Sequence, residues 1–322
     1  MVVLESERQG VNKEITNIFF GSPKGLVIDN SYDQFVSCRT IEYYKENKIE
    51  YLHSQDNELD YLKHFSDVKF LSIPDEAENF DELNKLNNLR GLSLYTNSLK
   101  YIEKNILEKI EYLEIIYDEK TEVDFSKFKS LKHLRISHLP YPEIKITNAL
   151  TSLELEFCKK ISTLNFLRDI SELKRIKLNY LPELEDISGL TNLSQSLETV
   201  TVWDCKKIKN AEAVLSSLIN TRSVEIITLE TDSKMKIKSL SFMKYLVNLE
   251  SFATNYKIED GDLTNLLRLK DANITEFYEN YNLKDKDLPH INVTVNDSGN
   301  IKKVRLDSLE LGKEDKRIIW LR

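Results

Sequence analysis

Leu150-Thr-Ser-Leu-Glu-Leu-Glu-Phe-Cys-Lys-Lys-Ile161 and Leu197-Glu-Thr-Val-Thr-Val-Trp-Asp-Cys-Lys-Lys-Ile208 share one frame, L-x-x-L-x-L followed by x-x-C-x-x-I. Leu153-x-Leu155 and Val200-x-Val202 alternate as a strand with one buried face requires. The cysteine stands where the chain has to turn inward, and a small apolar thiol suits a buried slot. The same L-x-x-L-x-L frame fits Val68/Leu71/Ile73, Leu89/Leu92/Leu94, Ile110/Leu113/Ile115, Leu131/Leu134/Ile136 and Leu173/Ile176/Leu178. Val224/Ile227/Leu229 also fits, and weaker copies stand at Ile49/Leu52/Ser54, Leu249/Phe252/Thr254 and Leu269/Ala272/Ile274.

First positions run from 49 to 269, so the copies recur about every 22 residues. This template and spacing resemble leucine-rich repeats, whose period is roughly 20–29 residues. Cys158 and Cys205 fill the slot that such repeats give to Asn or Cys, and Asn57 and Asn97 are read as buried amides of the same kind. Leu184-Glu-Asp-Ile-Ser-Gly-Leu-Thr-Asn-Leu193 resembles the D-I-S-x-L-x-x-L segment of the bacterial internalin-like class. The resemblance covers about residues 49–275. It implies an α/β fold, a leucine-rich-repeat solenoid curved as a horseshoe. A parallel β-sheet would line its concave side, with short 3₁₀ or α segments on the convex side. The apolar spacing of 161–173 and 239–246 reads as helix-like. Short steps leave room only for turns or 3₁₀ pieces, and the longer steps over 197–249 leave room for short α-helices.

The ends depart from the frame, as end caps of a repeat array do. Residues 1–48 are read as an N-terminal cap. In it Gly25–Asp29 and the alternating run Val36–Tyr44 are strands, the second leading as a hairpin into the first copy. Residues 276–322 are read as a C-terminal cap with a β-hairpin, Ile291–Val295 and Ile301–Leu306 about the turn Asn296–Asn300. Ile301, Val304 and Leu306 also fit L-x-x-L-x-L, and one last degenerate copy is the alternative.

Composition narrows the function. Of 322 residues, 41% are hydrophobic and 30% charged, and the net charge is −8 with no basic stripe along the sequence, which argues against nucleic acid. No apolar run reaches the roughly 18 residues of a membrane span, and the N-terminus has no signal-peptide pattern. With an odd number of cysteines and no C-x-x-C, the sequence reads as cytoplasmic. Gly21–Gly25 lacks the ending of a phosphate-binding loop and reads as a turn. The histidines form no short metal motif, and no catalytic constellation or cofactor motif is present, so neither a cofactor nor a reaction is expected.

A surface follows from the template. Residues between the inward leucines, and those just after the strand, face away from the core. Copy by copy these include Tyr51, His53, Phe70, Tyr95, Tyr112, Tyr117, His133, Arg135 and Glu154. Further along come Glu156, Phe157, Arg175, Lys177, Tyr180, Trp203, Glu230 and Tyr256. Tyr, Trp and Arg are the residues enriched at interface hot spots. The expected function is a monomeric scaffold that binds another protein on its concave face, with Trp203 as anchor. The alternatives are an inhibitor or immunity-type protein that blocks an enzyme or toxin, and a secreted internalin-like effector.

Overall fold

The computed structural model describes residues 2–4, 14–17, 22–28, 38–118, 121–146, 149–228, 235–274, 278–284, 287, 293–295, 301–305 and 318–319. It has two compact units. The first is residues 1–140 with 145–150, and the second is 141–144 with 151–322.

In the first unit β1 (Val2–Leu4), β2 (Glu14–Asn17) and β3 (Ser22–Ile28) pair antiparallel in order. From β3 onward every pairing is parallel, through β4 (Tyr51–Ser54), β5 (Phe70–Ser72), β6 (Gly91–Tyr95), β7 (Tyr112–Ile116) and β8 (His133–Ser137). Register aligns Leu52, Leu71, Leu92, Leu113 and Leu134, and all are buried. The frame therefore stacks one leucine on the next. At about 25 cal/mol per Å² of buried apolar surface, this ladder of side chains is the main stabilising contribution.

Two sequence expectations change here. The run Val36–Tyr44 was expected as a strand, but from Cys38 to Glu46 it is helix α1. β3 and β4 are parallel, with Leu26 opposite Leu52. A parallel pair needs a crossover, which a hairpin cannot supply. Tyr44 anchors the helix edge-on to Phe65, with ring centroids 4.8 Å apart. Ser22–Gly25, read as part of a turn, instead belongs to β3.

The second unit repeats the parallel scheme with β9 (Ser152–Glu156), β10 (Arg175–Asn179), β11 (Thr199–Trp203), β12 (Ser223–Ile227), β13 (Ser251–Thr254) and β14 (Asp271–Ile274). A separate antiparallel sheet joins β15 (Val293–Val295), β16 (Ile301–Arg305) and β17 (Ile318–Ile319). The hairpin expected from the sequence is thus β15–β16, while its turn, 296–300, lies outside the described residues.

Return segments are mostly 3₁₀, including 165–167, 188–193 and 240–245. Short α-helices occur as α2 (Lys104–Leu107) and α3 (Ala211–Leu215). Gly189 shows how closely the coils stack. A Cβ there would stand 2.0 Å from the backbone oxygen of Leu164 in the preceding repeat.

One copy is out of frame. The sequence frame Val224/Ile227/Leu229 is displaced, because register places Val224 opposite Val200 and Ile226 opposite Val202. The inward residues are Thr221, Val224 and Ile226, all buried. Thr221 holds a leucine slot, and its hydroxyl donates to Leu197 O at 3.0 Å. The asparagine reading is also corrected. Asn57 is exposed and Asn97 only half-buried, and Asn97 reaches outward to donate to Asp75 Oδ1 at 3.1 Å. The cysteine reading matches the structure. Cys158 and Cys205 are fully buried, and burial pushes the Cys205 thiol up to about 12, so it stays protonated.

Candidate interaction surface

In each unit the leucines pack one side of the sheet and leave the other side open. Register sorts the open face into rows.

In the first unit, the row Tyr51, Phe70, Gly91, Tyr112, His133 crosses the strands. Gly91 has no side chain, so Phe70 and Tyr112 lean over it until their centroids are 5.5 Å apart, edge to face. Tyr112 stacks on His133 at 4.3 Å with 8° between planes. The next row is His53, Ser72, Ser93, Glu114, Arg135, in which Arg135 pairs with Glu114 at 3.3 Å. Burial holds His53 below its usual 6.5, so it is neutral at pH 7. Tyr95 is half-buried at the strand end. Tyr51 and Tyr117 are buried and offer little surface.

In the second unit the central row is Glu154, Lys177, Thr201, Glu225, Ala253, Asn273. Lys177 lies between two partners. Its Nζ is 2.6 Å from Glu154 Oε1 and 5.0 Å from the centroid of Trp203. The row on one side opens with Ser152, Arg175 and Thr199, and Arg175 is exposed. The row on the other side carries Glu156, Asn179, Trp203 and Ile227, with Asn179 Nδ2 donating to Glu156 Oε1 at 2.7 Å. The Trp203 indole Nε1 is buried and has no hydrogen-bond partner among the described residues.

In the second unit three residues that directly follow their strands take left-handed backbone, as His138 (φ 61°) does after β8 in the first: Phe157 (φ 53°), Tyr180 (φ 54°) and Asp204 (φ 50°). The conformation costs a non-glycine residue roughly 1–2 kcal/mol. The turn needs it. Each backbone N–H reaches the carbonyl ending the next strand, at 3.0, 2.8 and 2.9 Å, and the following residue (Cys158, Leu181, Cys205) then enters the core. The same geometry turns the Phe157 and Tyr180 rings outward. They touch each other at 5.4 Å, and Phe157 is 37% exposed.

Sequence reading missed Glu225, buried in the central row, because the slipped frame placed Thr228 and Glu230 there instead. Glu230 lies outside the described residues. Thr221, a β-branched residue with the size of Val, was the available signal. Tyr256 is buried, with its backbone N–H on Thr254 Oγ1. Among the described residues, no cluster of His, Cys, Asp and Glu is placed to hold a metal ion. Among them, too, no helix is long and apolar enough to cross a membrane.

A parallel strand every 19–28 residues, an inward leucine frame and 3₁₀ returns define the leucine-rich-repeat fold. Among solved structures the chain is similar to an internalin (inlF) from Listeria monocytogenes str. 4b F2365. The two are 18% identical, the match covers 78% of this chain and 82% of that one, and the TM-score is 0.44. No protein-family model matches the sequence, and no curated protein matches it.

Proposed function

We propose that the chain is a non-catalytic scaffold that binds a partner protein on the open face of its repeat sheet. The observation that carries this reading is the group Glu154, Lys177, Trp203, Phe157 and Tyr180 in the second unit. It combines a desolvated ion pair, an indole whose N–H has no acceptor among the described residues, and two rings turned outward by their backbone. A partner that covers the Phe157 and Tyr180 rings would gain buried aromatic area beside the Lys177–Glu154 pair. Arg175, exposed beside the group, supplies a further cation. The chain acts alone as a monomer in this reading and engages protein rather than nucleic acid, in keeping with a net charge of −8.

The test is affinity capture from the native organism with the wild-type chain and with the triple variant Trp203→Ala, Tyr180→Ala, Arg175→Glu. Circular dichroism checks that the variant folds. A protein retained by the wild type should be lost from the variant. Equal retention by both would show that the open face is not the contact surface.

A further inference from the structure

Ile219, Val247 and Leu267 each stand four residues before the first residue of a strand, in β12, β13 and β14. Register aligns those first residues, Ser223, Ser251 and Asp271. The three side chains therefore occupy one position in three adjacent repeats. They are 39%, 73% and 46% exposed, and Tyr245 beside them is 51% exposed. The loops are stitched together. Asn248 Nδ2 donates to Ile219 O at 3.3 Å, and Arg268 Nη2 donates to Leu246 O at 3.0 Å.

At the same offset every earlier repeat carries a polar residue: Asn47, Ser66, Asn87, Glu108, Lys129, Asn148, Ser171, Gln195. The repeat template thus has no need of an apolar side chain there, and the core does not use it. Three in succession form a contiguous exposed apolar row, the kind of feature that marks an interaction surface.

Charge narrows the occupant. The three loops, residues 216–222, 244–250 and 264–270, hold the cations Arg222, Lys244, Arg268 and Lys270 against one acid, Glu250. Glu250 is already paired with Lys270 at 2.8 Å. This local excess of positive charge sits in a chain whose net charge is −8. A second copy docked across a two-fold axis would set these cations against themselves. Arg268 is also held by Met243 O at 2.6 Å, so its charge is presented at a fixed point.

We propose that this row docks an amphipathic helix of a partner protein, with apolar anchors spaced i, i+3/i+4, i+7 and acidic residues on both flanks. One row of separate side chains suits the single apolar stripe of such a helix. The surface is distinct from the open face of the sheet, and the inference does not depend on that site.

The probe is a displayed library of random short peptides selected on the full-length protein. Enriched peptides should carry the i, i+3/i+4, i+7 apolar pattern with Asp or Glu between. They should bind Val247→Glu and the pair Arg222→Glu, Lys244→Glu about tenfold or more weakly. Val247 is mostly exposed, so the core should tolerate its change. Ile219→Gln, which restores the polar residue type of the other repeats, should also weaken binding and guards against a folding artefact. The proposal is overturned if no peptide is enriched, if enriched peptides bind Val247→Glu equally, or if they lack acidic residues. It also fails if the wild type self-associates in sedimentation, or binds phosphatidylserine-containing vesicles, in a way that Val247→Glu abolishes.

Discussion

In residues 51–137 the stacked rings of the open face begin their strands and spend their surface on one another: Phe70 on Tyr112, Tyr112 on His133. In residues 152–227 the rings stand at the strand ends. Trp203 closes β11, while Phe157 and Tyr180 follow β9 and β10 in left-handed backbone. The template is the same in both, and four or five positions along it separate a ring that braces the sheet from a ring that is presented. Repeat closure differs as well. In the second unit Asp186 accepts from Ser188 N and from Asn210 Nδ2 of the next repeat, both at 2.7 Å. Asp262 and Asn282 repeat that clasp.

The largest expected effect breaks the second unit at its tightest point. Gly189→Ala would place a methyl group on the Leu164 carbonyl, a backbone atom that cannot rotate away. Stability should fall by about 3 kcal/mol or more, the upper range for overpacking, as read from the urea midpoint. A loss under about 1 kcal/mol would mean that neighbouring repeats separate more easily than this geometry requires.

A paired substitution sharpens the contrast between bracing and presented rings. Tyr112→Ala removes a ring with two aromatic neighbours and should cost about 1–3 kcal/mol. Tyr180→Gly removes one ring contact but relieves a left-handed tyrosine, and glycine tolerates that backbone. Its stability should stay within about 1 kcal/mol of wild type, while partner binding falls. Equal losses in the two variants would erase the distinction between the faces.

Much of this was legible in the sequence, since the leucine frame names the inward residues of nearly every strand. It failed where a residue of another type holds a slot. Thr221 is polar enough to hide a repeat boundary, so Glu225 was missed and the frame moved by three residues. The α1 segment was misread because Val36-Ser-Cys-Arg-Thr-Ile alternates over a few residues, and only the parallel pairing of β3 with β4 decides against a strand. On the surface, pattern gives direction but not cover. Tyr51, Tyr117 and Tyr256 occupy outward or rim positions and are nonetheless buried by neighbours. The row Ile219, Val247, Leu267 was open to view, yet its four cations are spread over nearly fifty residues of chain and meet only in the fold.

Acid tests one group in each unit. In the first unit, burial depresses His53 below its ordinary 6.5. The unfolded chain therefore takes up a proton there before the folded one does. Stability is full above pH 6.5 and falls as pH drops toward the depressed value. His53→Gln should flatten that slope between pH 7 and 5. In the second unit, the Ser188 backbone N–H and the Asn210 amide hold Asp186 below its ordinary 3.8. Its contribution is present above that value and is lost as pH falls through the folded one. Asp186 is half-buried at the rim of the coil, where solvent screening still keeps this the smaller effect. Asp186→Asn keeps an oxygen to accept from Ser188 N, and it should remove pH dependence only below about pH 4. Urea midpoints of the two variants across pH 7 to 3 should show two separate windows. If both variants flattened the same window, the assignment of one group to each unit would be wrong.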